Sequence, residues 1–235
     1  MNGQTVVVIG GSAGIGLSTA KQARAEGADV ILTGRNPERL ERAAAEVGAV
    51  NTAAFDASDR EAMSRFLAEL PRPVDHVIST AGGPYYAQLA EIDIDAARRS
   101  LDDHFFLALS VAQQAVGVVR GSLTFIGGTG GRKRGVGLSI IAAMTAAMPA
   151  LVANLAVEVA PIRVNLIAPG FVDTPLSASL LGDQLDARRA QLRDTLPIGR
   201  VVGPQDIAAM AIHLMTNTAL TGATFDVDGG QQLVR

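Results

Sequence analysis

At 235 residues, with no Pro/Gly/Ser-rich linker dividing it, the chain fits a single large α/β domain. Hydrophobic residues make up 48%, enough for a substantial core, and a net charge of −3 without an extensive basic run argues against nucleic acid as a partner. The absence of cysteine excludes disulfides, thiolate chemistry and a cysteine-ligated metal site, and no other metal site is expected.

Val6 to Ile9 is a short β-branched run of the kind that forms a strand buried on both faces. It begins so early that no room is left for a signal peptide, and a cytoplasmic protein is expected. Gly10, Gly14 and Gly16 then punctuate a turn into an alanine-rich helix. Asp29 to Thr33 reads as the second strand, ending at Gly34-Arg35; Asn36 caps the next helix and Pro37 takes its first position. Val50 to Phe55 predicts a third strand, followed by Asp56-Ala57. Ser58-Asp59-Arg60-Glu61 has the form of a capping box, opening a helix that stops before Pro71. Val74 to Ser79 is the fourth strand and runs into Thr80-Ala81-Gly82-Gly83. A long helix is predicted over Ile94 to Val119, then a strand at Leu123 to Ile126, a helix near Leu138 to Ala160 and a strand at Arg163 to Ala168. Helices are expected between Phe171 and Leu196, a last helix from Pro204 to about Met215, and a last strand at Thr224 to Val227. Strands alternating with helices throughout imply a doubly wound parallel sheet with helices on both faces, a Rossmann-type α/β fold.

From Gly135 to Val157 there is no charged residue. That length raises the question of a membrane span, but Gly137, Ser139, Thr145, Pro149, Asn154 and many alanines make the stretch small-residued more than greasy. A helix apolar all round is instead expected to be buried among other helices, including those of a second copy of the chain.

The glycine-rich turn carries the clearest chemistry. Gly10 turns the chain as it leaves the strand, Gly14 lets backbone approach a phosphate, and Gly16 lets the helix pack closely on the sheet. The free N–H groups and positive end of that helix suit a pyrophosphate. The spacing, Gly-x-x-x-Gly-x-Gly across Gly10, Ser12, Ala13, Gly14, Ile15 and Gly16, resembles the cofactor loop of the short-chain dehydrogenase/reductase family, with Ile9 where that loop usually opens with threonine. The resemblance runs from Val6 to Gly230 and implies a nicotinamide cofactor. At the end of the second strand an NAD site tends to hold an acidic residue; here Gly34 is followed by Arg35, whose guanidinium suits a 2′-phosphate. NADP(H) is therefore expected in preference to NAD(H). The resemblance also assigns Asp56, with Ala57 after it, to the adenine, and Thr80-Ala81-Gly82 to the ribose in place of the family's Asn-Asn-Ala-Gly. It assigns the Ile162-to-Thr174 stretch, including Ile167, Pro169, Gly170 and Thr174, to the nicotinamide. Asp226-Val227-Asp228-Gly229-Gly230 resembles the family's C-terminal strand and turn.

The family's reductases use an Asn, Ser, Tyr and Lys set, with Tyr-x-x-x-Lys on one helix face. The tyrosines here are Tyr85 and Tyr86 and the lysines Lys21 and Lys133, so no Tyr-x-x-x-Lys exists in this chain. The resemblance puts Ile141 in the tyrosine position, Thr145 in the lysine position, Gly128 in the serine position and His104 in the asparagine position. Pro149, inside the same helix, predicts a kink or break. His104 and Tyr85 are the candidates for proton transfer, with Tyr86 and Lys133 behind them; against each stands ordinary packing or solvation. His76 reads as structural, and nothing singles out His213.

These features imply an NADP(H)-dependent oxidoreductase acting on a carbonyl or alcohol with an atypical proton donor. The alternatives are a nucleotide-binding sensor or scaffold without hydride chemistry, and an enzyme of imine or ene reduction. The uncharged helix is expected to join copies of the chain into a dimer or tetramer, and the resemblance implies that the region Thr224 to Arg235 takes part.

Overall fold

The computed structural model describes residues 1–70 and 73–234. Seven strands, β1 (Thr5–Ile9), β2 (Asp29–Gly34), β3 (Asn51–Ala54), β4 (Val74–Ser79), β5 (Val119–Ile126), β6 (Arg163–Pro169) and β7 (Thr224–Val227), form one sheet in the order β3-β2-β1-β4-β5-β6-β7. Every pairing is parallel. The helices are α1 (Gly14–Ala25), α2 (Pro37–Val47), α3 (Arg60–Glu69), α4 (Ile94–Leu101), α5 (Leu107–Ala115), α6 (Ser139–Glu158), α7 (Pro175–Leu181), α8 (Leu185–Thr195) and α9 (Pro204–Thr216). The expected doubly wound fold is the one observed.

Alternation along β1 divides its side chains between two cores. Val7 and Ile9 join Met63, Phe66 and Leu67 of α3, Leu107 and Val111 of α5, and Met148, Val152 and Leu155 of α6 on one face. Val6 and Val8 join Ala20 and Ala23 of α1, Leu40 and Ala43 of α2, and Ile207, Ala211 and Leu214 of α9 on the other. Strand order reverses between β1 and β4, so the crevice above their carboxyl ends is where a ligand is expected in such a sheet. There the Thr80 N–H donates to the Ile9 carbonyl (2.8 Å), and its hydroxyl donates to the carbonyls of Ile9 (3.1 Å) and Gly10 (3.2 Å). These bonds tie the two loops together.

Several boundaries differ from the sequence reading. The helix expected over Ile94 to Val119 is α4, a π-helical turn at Asp102–Phe106 and α5, which ends at Ala115. Gly117, at φ 79°, turns the chain, and Val119 opens β5 by pairing with Val74. β-branched valines there complete a sheet ladder, which outweighs the continuation of a helix. At the start of α3 the cap is Asp59, which accepts from the N–H groups of Glu61 and Ala62 (both 3.0 Å). Ser58 turns instead to Asp56 (2.8 Å), so the capping box is not formed. α3 ends at Glu69; Pro71, which was to stop it, lies outside the described residues.

No break interrupts α6, which runs through Pro149. The proline removes one N–H donor, while Met148 and Val152 on either side are fully buried and hold both halves of the helix on the sheet. Ile141, Met144 and Leu155 are buried with them, whereas Ala143, Ala146, Ala147, Ala150, Ala153 and Val157 are exposed. The helix is therefore half buried, and up to Val157 its outer face is uncharged and made largely of alanine methyl groups.

Candidate active site

A cleft lies along the carboxyl edge of the sheet and has two arms, one of about 560 Å³ over β1, β2 and β3 and one of about 800 Å³ over β5 and β6. Ile15, Thr80, Ala81, Gly82 and Thr174 line both arms, which makes the cleft continuous.

Backbone shape dominates the first arm. Gly10 has φ 85° and Gly14 φ 53°, both in the region where a side chain is strained. A Cβ on Gly16 would stand 2.3 Å from the Gly10 carbonyl oxygen and 2.6 Å from Thr80 Oγ1, so only glycine lets α1 start this close to the sheet. Ala13, at the helix N-cap, makes no side-chain cap, and no acidic residue occupies the first turn. The first backbone bond into α1 runs from the Leu17 N–H to the Ala13 carbonyl (3.2 Å), which leaves the earlier N–H groups at Gly14, Ile15 and Gly16 directed at the arm.

Its charged rim comes from the ends of β2 and β3. Arg35, between the end of β2 and the N-cap Asn36, and Arg39, in the first turn of α2, both line the arm, and neither forms an ion pair or hydrogen bond through its side chain among the described residues. Asp56 and Ala57 lie across from them. The Ser58 N–H donates to the Asp56 carboxylate (3.0 Å) and, as the leading cause, holds its pKa below the usual value; the charge of Arg35 adds to this. Asp103, on the π-helical turn, faces the same space, and burial raises its pKa, reinforced by the Asp56 carboxylate.

The second arm is mostly apolar, with Ile126, Leu138, Ile141, Met144, Phe171, Leu176 and Leu180 in its lining. Gly128, Ile141, Thr145 and His104 all reach it, so the four positions matched to the family's catalytic set are gathered in space. Their chemistry is another matter. Ile141 has no proton to give, Gly128 has no side chain, and the Thr145 hydroxyl donates back to the Ile141 carbonyl of its own helix (2.7 Å). His104 Nδ1 lies 3.0 Å from the Ser100 carbonyl, which can only accept; Nδ1 therefore carries the proton of the neutral ring. Burial lowers the pKa of His104, so the neutral ring is favoured, with a bare Nε2 beside Gly82.

Tyr85 accepts the Asp93 N–H at its hydroxyl (2.9 Å), which fixes the ring and leaves the phenol proton uncommitted. Tyr86 also lines the arm, with about half of its surface exposed. Lys133 Nζ donates to the Gln231 carbonyl (3.0 Å). Pro169, Gly170 and Thr174 line this arm. Ile167 does not, because its side chain is fully buried in the core that backs β1 and α9. His76 is buried in β4 against Ser122 (2.9 Å), and His213 is exposed on α9; neither lines the cleft.

Arg39, Asp103, Phe171, Arg188 and Gln231 line the cleft without having been singled out in the sequence. Arg39 had a readable signal, being four residues after Arg35 near the start of a helix. The others come from distant segments and show no local pattern.

The family model described as Enoyl-(Acyl carrier protein) reductase matches residues 10–232. Short-chain dehydrogenase/reductase ATR9 of Stachybotrys chlorohalonatus is 32% identical over 251 residues, which cover 98% of this chain and 97% of that protein. Among solved structures, the MalC Reductase/Diels-Alderase from Malbranchea aurantiaca superposes with a TM-score of 0.91 at 25% identity, covering 99% of this chain and 97% of the other. A small-chain dehydrogenase solved in complex with NADPH superposes with a TM-score of 0.84 at 30% identity, covering 98% and 99%. Matched over nearly its whole length in sequence and in fold, the chain belongs to the short-chain dehydrogenase/reductase family of oxidoreductases.

Proposed function

We propose that this protein is an NADP(H)-dependent oxidoreductase acting on a carbonyl or alcohol without the family's tyrosine–lysine proton relay. The observation that carries the cofactor choice is the pair Arg35 and Arg39, which face the first arm and form no ion pair among the described residues. Two guanidinium groups beside Gly34 suit a 2′-phosphate and offer nothing to a ribose diol that wants an acceptor. The glycine cradle fits a dinucleotide for a separate reason: at Gly16 the space a Cβ would need is already taken by backbone.

In this reading the N–H groups of Gly14, Ile15 and Gly16 bind the pyrophosphate beside Ser12 and Ala13. Asp56 and Ala57 border the adenine, Thr80, Ala81 and Gly82 border the ribose, and Pro169, Gly170 and Thr174 border the nicotinamide. The cofactor, when bound, supplies hydride. His104 presents an acceptor nitrogen, so between the two candidates Tyr85 alone has a proton free to donate. A panel titration tests the reading: NADPH is expected to bind at least tenfold more tightly than NADH, and equal affinities would reject it.

The same vacated positions favour a second reading, a nucleotide-binding sensor or scaffold. Stopped-flow oxidation of bound NADPH by a carbonyl panel separates the two, since a sensor shows none. We also propose that α6 joins copies of the chain into a dimer or tetramer and that the protein works in the cytoplasm. By length and composition α6 could cross a membrane, but its buried side chains pack on the sheet, and its outer alanines suit a second α6. Part of β7 and the turn after it would complete that contact, although Arg235 lies outside the described residues. A chain that stays monomeric at micromolar concentration in sedimentation equilibrium excludes this.

A further inference from the structure

The two arms of the cleft differ in charge. The first holds Arg35 and Arg39 together with Asp56 and Asp103. The second holds Lys133 and Arg188, and among the described residues no aspartate or glutamate is in its lining. Both cations are half-buried, where a charge is screened less than on an open surface.

Neither cation is neutralised among the described residues. Lys133 donates to a main-chain carbonyl, that of Gln231, and Arg188 donates to the neutral amide oxygen of Gln191 (2.8 Å). The neighbouring Arg189 behaves differently: it pairs with both Asp173 (2.8 Å) and Asp186 (3.0 Å), and so takes up the acids of that segment. Arg188 is left over the ring of Phe171, its guanidinium carbon 5.8 Å from the ring centroid, an arrangement that holds the group without cancelling its charge.

One structural unit carries both cations. The Gln231 side-chain oxygen accepts the Phe171 N–H (2.7 Å), while the Gln231 carbonyl accepts Lys133. Thus Lys133, Gln231, Phe171 and Arg188, from four separate segments, are linked in sequence and all line the second arm. Around them the lining is aliphatic and aromatic.

A half-buried pair of uncompensated cations in an apolar arm raises the local concentration of anions and repels cations. We infer that the second arm takes a substrate with an apolar body and one oxyanion group, a carboxylate or a phosphate ester, held between Arg188 and Lys133 on the Phe171–Gln231 platform. A preformed iminium cation is disfavoured by the same charges. The inference rests on the proposed reading that this arm receives the substrate.

Binding to the full-length chain tests it. ω-Phenylalkanoates of increasing chain length, the matching ω-phenylalkanols and the matching alkyl phosphates are titrated with and without NADPH. At least one acid or phosphate should bind about tenfold or more tightly than its alcohol, the effect of one or two charged hydrogen bonds. The acid series leading indicates a carboxylate substrate, and the phosphate series leading a phosphate ester. Arg188→Gln and Lys133→Gln should each reduce the preference, and Arg188→Lys should retain part of it; thermal unfolding verifies that the variants are folded. Equal binding of acids and alcohols, binding by none of the anions, or an unchanged preference in Arg188→Gln overturns the inference. NADPH binding without anion preference rejects this inference alone. Anion preference without NADPH binding keeps the site and rejects the cofactor reading.

Discussion

The first arm of the cleft and the second obey different rules. In the first, function depends on backbone: a turn at Gly10, an open helix end at Gly14, and a contact at Gly16 too close for any side chain. In the second, the lining is made of side chains, and the four positions that the resemblance matches to the family's catalytic set hold Gly128, Ile141, Thr145 and His104, two of them on α6. The difference teaches that a fold restrains a backbone-built site much more than a side-chain-built one. Replacing Gly16 disturbs the packing of a helix on a sheet.

The largest effect expected from this contrast is on rate. Because a positioned general acid contributes roughly 10²–10⁴-fold, turnover of simple ketones and aldehydes with NADPH should fall below that of ordinary family reductases by about that factor. Initial rates on a carbonyl panel measure it. Efficient turnover would show that another group has taken the role, and a large loss in Tyr85→Phe would identify it.

Stability draws a second line, beneath both arms. Burial holds the pKa of His76 down to about 4, against 6.5 for a free histidine. The unfolded chain therefore binds more protons between those two values. Stability is complete above about pH 6.5 and is lost as pH falls toward about 4, on the order of 3 kcal/mol in all. His104, also lowered by burial, acts in the same direction, and the lowered carboxylates of Asp206 and Asp226 act below that window. Urea midpoints at pH 7 and pH 4.5 measure the loss, and His76→Gln should flatten the slope.

Two glycines compare the arms directly. Gly16→Ala forces a Cβ against a backbone carbonyl and should cost roughly 2–3 kcal/mol along with dinucleotide binding. At Gly128 the backbone is extended, and the nearest atom to a new Cβ is Thr145 Cγ2 at 3.3 Å, so Gly128→Ser should cost less than about 1 kcal/mol. Thermal unfolding of both variants sharpens the contrast; equal losses would remove it. A last effect is on cofactor choice. Arg35→Ala should weaken NADPH by roughly 1.5–3 kcal/mol and leave NADH nearly unchanged, with Arg39→Ala acting in the same sense. Loss of both cofactors together would mean that the arginines support the loop and not the 2′-phosphate.

Local chemistry by itself determined much of this protein: the strand–glycine–helix opening, the cap at Asn36, the helix start at Pro204, the alternation of strands and helices, and the missing Tyr-x-x-x-Lys. Each of these rests on neighbours within a few residues, where sterics and hydrogen bonding act on the chain directly. Tertiary structure decided the rest. Only sheet pairing could end the middle helix at Ala115 and make Val119 a strand residue, since a valine run is compatible with either state until a partner strand is present. Only packing could carry α6 through Pro149, and only the convergence of four distant segments could set Lys133, Gln231, Phe171 and Arg188 around one apolar arm. Burial and charge compensation are sums over such distant neighbours, which is why no local pattern announces them.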